Sequence, residues 1–152
     1  MFRRLLLLNL GLMLSGALHA RAAAPALESY ASVTVAPVKT SIYIGSVTLA
    51  SPPYLRKAGV YTTSYTAKVF PYFFYSEHGT ISIAVSDDQL RQLGRGETIT
   101  FTGQGLSSDG EPRHIEGKVT PVDAATGKIK VRVFVSKRIQ LIFNTTYRFG
   151  GS

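Results

Sequence analysis

The sequence predicts an all-β domain: an antiparallel sandwich or small closed barrel of seven or eight strands with one short helix. Three observations lead there. Apolar residues recur at every second position through most of the chain, with the intervening positions polar. Turn chemistry such as Ser51-Pro52-Pro53 and Asp109-Gly110 punctuates the alternation. The regular exchange of strand and helix that a parallel sheet requires is absent.

The first segment is read apart from the fold. Arg3 and Arg4 precede an apolar run from Leu5 to Leu14, and small residues follow to Ala24, which is the three-part plan of a signal peptide. We assign residues 1–22 to this signal, with cleavage after Ala20 or Ala22. The apolar stretch falls short of the roughly 20 residues that cross a bilayer as a helix. Residues 23–30 are expected to form a flexible lead-in, and 31–149 a single all-β domain.

From Val33 the period is two. Val33 and Val35, then Ile42 and Ile44, then Val47 and Leu49 point one way, and the change of phase at Gly45-Ser46 predicts a β-bulge. Pro52 and Pro53 end this run by removing ladder donors. The stretch from Gly59 to Tyr75 is too long to stay straight in a domain this size, so a bend at Pro71 is expected. Glu77-His78-Gly79 is read as a turn into Thr80 to Val85. Ser86 with Gln89 three residues later forms a capping box for one short helix, with Leu90 and Leu93 as its apolar residues and Gly94 and Gly96 as its stop. Strands resume at Thr98 to Gly103 and Arg113 to Val122. The apolar set Ile129, Val131, Val133, Val135, Ile139, Leu141 and Phe143 then needs a reversal near Ser136 to Arg138. By parity, Ile81, Ile83, Ile99, Phe101, Val131, Val133, Leu141 and Phe143 form one core.

Chemistry is sparse. With no cysteine, thiol catalysis, zinc-thiolate sites and disulfide scaffolds are excluded. His78 and His114 are the only histidines beyond the signal, no nucleophile elbow or phosphate loop occurs, and Asp109, Glu111, His114 and Glu116 lack a diagnostic ligand spacing. No cofactor and no metal site is expected, nor is an enzyme the preferred reading.

Two features exceed what a core requires. The segment from Val69 to Tyr75 is apolar on both faces, so Phe70, Tyr72 and Phe74 are candidate ligand-binding residues unless the helix covers them through Leu90 and Leu93. Lys128, Lys130 and Arg132 alternate outward from a Val-rich face, and no acidic residue follows Asp123. The chain carries a formal charge of +8, which falls to +6 without Arg3 and Arg4 and to +5 without Arg21. An exported basic protein points to an anionic glycan, lipopolysaccharide or an envelope protein as partner, and not to nucleic acid.

The ending Asn144-Thr145-Thr146-Tyr147-Arg148-Phe149 resembles the aromatic C-terminal signature of outer-membrane β-barrels, although Gly150-Gly151-Ser152 follows where that family ends. The resemblance covers the last strand alone and implies a small outer-membrane barrel as the alternative. The expected function is an exported, periplasmic or extracellular, non-enzymatic β module that binds an envelope component, glycan or partner protein. Membrane insertion is not expected, because Thr80 to Val85 and Thr98 to Gly103 are shorter than a spanning strand. An enzyme of unassigned class ranks third.

Overall fold

The computed structural model describes residues 27–151; the signal assignment to 1–22 lies outside them. Ten strands follow one another: β1 (Ser32–Val35), β2 (Val38–Ile42), β3 (Gly45–Ala50), β4 (Tyr54–Lys57), β5 (Val60–Phe70), β6 (Glu77–Ala84), β7 (Ile99–Ser107), β8 (Pro112–Pro121), β9 (Thr126–Phe134) and β10 (Gln140–Gly150), with helix α1 (Asp87–Gly94) between β6 and β7.

These ten strands make eight staves. Pro37 interrupts the first stave between β1 and β2, and Pro52-Pro53 interrupts the second between β3 and β4, since proline has no N–H for the ladder. The two staves nevertheless keep one hairpin register, from Ile42 opposite Gly45 to Ser32 opposite Leu55. Every further stave pairs antiparallel with the next in sequence, and β1 pairs with β10 to close the ring. The result is a closed up-and-down barrel. Crossing the ladders from Gly150 through Ser32, Leu55, Thr62, Ser82, Gln104, His114 and Phe134 leads back to β10 at Gln140. This stagger of ten residues over eight staves corresponds to strands tilted roughly 40° to the axis.

The inward face is apolar. Ile81, Ile99, Phe101, Ile115, Val119 and Phe143 are buried, while Ile83, Val131, Val133 and Leu141 are half-buried beside them. The eight residues assigned by parity to one core therefore all point inward. Gly117 has a steric reason: the Phe101 ring lies over it where a Cβ would stand.

One end is plugged. Ser86 caps α1 through both hydrogen bonds of the capping box, and the helix sets Leu90 (0% exposed) and Leu93 against the barrel end. Arg56 on β4 fastens the helix by an ion pair to Asp87 at 2.9 Å and a hydrogen bond to the Val85 carbonyl at 2.7 Å. Beside it, Leu27–Tyr30 forms a single 3-10 turn, with Tyr30 2% exposed and its carbonyl accepting from the Tyr61 hydroxyl at 2.6 Å. The lead-in expected to be flexible over 23–30 is thus structured from Leu27 onward, because Tyr30 packs edge-on against Phe149 at 4.8 Å.

Three local readings are corrected. The phase change at Gly45-Ser46 is a hairpin with Tyr43 and Ile44 as its two-residue loop, and no bulge: Ile42 pairs with Gly45. Gly45 is required there because its backbone presses on the Phe70 carbonyl. The extra residue lies further on, where Ser51 to Tyr54 oppose only Thr63 to Tyr65 between the Ala50–Thr66 and Leu55–Thr62 pairs. Glu77-His78-Gly79 belongs to β6, the turn being made by Pro71 to Ser76. The strand read as Thr98 to Gly103 runs on to Ser107 as the nine-residue β7, so its length does not speak against a spanning strand.

Candidate functional site

Inside the barrel is a cavity of about 130 Å³. Its wall is aliphatic and aromatic apart from Ser51, Thr145, Glu77, Arg113 and tyrosine hydroxyls. The half-buried positions of the inward face, among them Val133 and Leu141, border this space.

The charged groups of the wall lie toward the end opposite α1, with the Tyr65 phenol beside them. Tyr65 on β5, Glu77 at the start of β6 and Arg113 near the start of β8 are inward positions of three staves that begin or end there. Arg113 donates to Glu77 through Nε at 3.3 Å and Nη2 at 3.1 Å, and to the Val135 carbonyl through Nη1 at 3.2 Å. The Tyr65 hydroxyl donates to Glu77 Oε1 at 3.1 Å. Gly105, on the intervening stave, carries no side chain against the stem of Arg113, which leaves that stem its path across β7. The hydrogen bond to Glu77 holds the Arg113 guanidinium charged even more firmly than usual. Burial, and then the Glu77 charge, push the Tyr65 phenol up to about 12, so it stays a donor at any ordinary pH. A bidentate pair and one phenol thus terminate an apolar chamber.

The wall also has a seam. Beyond the Ala36 N–H donating to the Thr146 carbonyl at 3.0 Å and the Thr145 hydroxyl donating to the Ala36 carbonyl at 2.9 Å, β2 has no ladder to β10 among the described residues. Val38 and Leu141, which flank this gap, both border the cavity.

The sequence singled out Phe70, Tyr72 and Phe74. All three are exposed, and so are Phe73 and Tyr75, with Phe74 at 75%. The segment does not divide into a covered and an open face, and α1 does not cover it, because Leu90 and Leu93 close the far end of the barrel. Instead the rings lean on one another, Phe74 against Tyr75 at 4.5 Å and Phe70 against Phe73 at 5.8 Å. The Ser46–Phe70 pairing sets them beside the exposed hairpin loop Tyr43-Ile44. They form an aromatic rim at the polar end of the cavity.

Lys128, Lys130 and Arg132 alternate outward on β9 as the sequence indicates, Arg132 half-buried and both lysines exposed. None of them has an ion pair among the described residues. β9 lies four staves from β5, so the basic strand and the aromatic rim occupy opposite sides of the barrel and are not one site. Sequence reasoning missed the Tyr65, Glu77 and Arg113 cluster; its only signal was a charged residue at an inward position of two strands. Among the described residues no three of His, Asp or Glu come together as a metal site. No helix of the described residues is long and apolar enough to cross a membrane.

No protein-family model, curated protein or solved structure matches this chain.

Proposed function

We propose that this chain is an exported, non-catalytic binding barrel that takes the apolar part of a small envelope component into its interior and holds a polar end of that molecule at Arg113, Glu77 and Tyr65. The observation that carries the reading is the apolar cavity of about 130 Å³ ending on that polar cluster. An apolar cavity of about 150 Å³ in a protein core stays dry and binds benzene, so the buried part of the ligand is a ring or short branched chain of roughly that size. The aromatic rim then serves as the contact surface for the rest of the component, since Tyr and Phe offer stacking area with little entropy to lose.

The polarity of the wall favours this reading over an outer-membrane barrel. Thr62, Ser64, Thr66 and Lys68 on β5 and Lys118, Lys128 and Lys130 on β8 and β9 face outward, where a spanning barrel carries an apolar band.

The test is thermal melting with toluene, indole and benzoate as probes, on the protein and on Val133→Phe, which fills the chamber. At least one probe is expected to raise the Tm of the unmodified protein and leave the variant unmoved. No shift with any probe, or equal shifts in both proteins, overturns the proposal.

A further inference from the structure

A second concavity, of about 580 Å³, lies on the outer wall where α1 approaches β7, β8 and β9. Lys118, Lys130 and Arg132 border it together with Gln89, Thr100 and Thr102. The register explains the concentration of charge: Lys118 stands directly across from Lys130, and Lys130 and Arg132 are two residues apart on the same face. Like charges placed directly opposite each other destabilise a sheet. The one carboxylate on its lining, Glu116, faces Arg132 across the ladder but lies 3.2 Å from His114 Nε2, and no ion pair joins it to any of the three cations among the described residues. Lys128 extends the positive track along β9, and Arg148 lies outward on β10.

We propose that this groove binds a segment of anionic polysaccharide, with Lys118, Lys130 and Arg132 taking its charged groups and Thr100 and Thr102 its hydroxyls, while Gln89 is held by the Ser86 N–H and the Thr100 carbonyl. The groove spans three staves, which at about 4.8 Å between neighbours is longer than one phosphate ion requires. The Thr100 and Thr102 hydroxyls on its flank suit sugar hydroxyls. The cations are carried by paired strands, so the backbone positions from which they reach the ligand are set in advance. The site is on the outside of the barrel and does not depend on the cavity.

The experiment measures binding of dextran sulfate and polygalacturonate, with neutral dextran, inorganic pyrophosphate and phosphatidylglycerol vesicles as the other probes. Three proteins are compared with the unmodified one: Lys118→Gln/Lys130→Gln/Arg132→Gln, the single Lys118→Gln, and Lys39→Gln/Lys137→Gln/Arg138→Gln, which removes equal charge elsewhere. The groove variant is expected to bind a charged polysaccharide about tenfold or more weakly, the distant variant to keep most of its binding, and neutral dextran not to bind. Lys118→Gln is expected to weaken binding while raising Tm slightly, because it relieves the Lys118–Lys130 repulsion. Equal loss in the groove and distant triple variants, undiminished binding in the groove variant or in Lys118→Gln, or preference for vesicles or pyrophosphate overturns the proposal.

Discussion

Arg113 and Glu77 face each other across an intervening stave, joined by two nitrogen-to-oxygen contacts of 3.3 and 3.1 Å at the mouth of the barrel. Their side chains are 17% and 24% exposed, so solvent screens the pair in part. Replacing Arg113 by Met leaves the carboxylate with only Tyr65 as a donor in a mostly apolar setting. The expected cost is about 2 kcal/mol, below the 3 to 5 of a fully buried pair. Glu77→Gln, which keeps a hydrogen-bonding group for Arg113 and Tyr65, is expected to cost less. Urea denaturation of both variants checks the order.

The core and the cavity wall are expected to respond differently to truncation. Leu90 is 0% exposed, packed in the core and away from the cavity wall, so Leu90→Ala is expected to cost about 2 to 5 kcal/mol. Val133, half-buried against the chamber, already lacks neighbours on one side, and Val133→Ala is expected to cost about 1 kcal/mol. Equal losses in chemical denaturation would mean that the chamber is closed in solution.

High pH is expected to destabilise the barrel before it ionises the buried phenols. Burial raises Tyr61, and raises Tyr65 and Tyr147 to about 12, in each case chiefly by desolvation. The unfolded chain releases these protons near pH 10, before the folded one does. Their contribution is therefore complete below pH 10 and is lost as pH rises from 10 to 12. Denaturation midpoints across that range are expected to fall, and Tyr147→Phe to flatten the fall.

The aromatic rim is expected to be separable from folding. Tyr72→Ala, and the double variant Phe73→Ser/Phe74→Ser, remove side chains that solvent already reaches, so stability is expected to stay within about 0.5 kcal/mol. Binding to an envelope extract is expected to fall in both. A large loss of stability would show that the rings support the β5–β6 connection.

Much of the fold was legible because the alternation of Ile81, Ile83 and Val85, or of Ile129, Val131 and Val133, has a single inward solution once a sheet must bury one face. The helix was legible from the Ser86 and Gln89 capping box at its start, Leu90 and Leu93 within it and Gly94 and Gly96 at its stop, because all of these are local devices. The rest was not local. Parity could not separate a hairpin from a bulge at Gly45, since both shift the phase by one, and the deciding contact is with Phe70. The rim residues were visible as an excess of rings, but their exposure depends on which end of the barrel α1 closes. The Arg113–Glu77 pair escaped notice because its members are 36 positions apart and meet only through the stagger of the staves.

The ring has one joint unlike the others. Seven of the eight contacts between neighbouring staves join segments consecutive in the chain, whereas Ser32–Val35 and Tyr147–Gly150 meet across 118 positions, with the Ser32 hydroxyl donating to the Gly150 carbonyl at 3.1 Å. Local hairpins can form early, but this last joint must bring the two ends of the domain together against chain entropy. Assembly is therefore a series of fast local zips followed by one slow clasp. Weakening the clasp, as in Val33→Ala, is expected to hasten opening more than it delays folding, because the side-chain contacts of the joint are completed only once the slow step of bringing the two ends together is past.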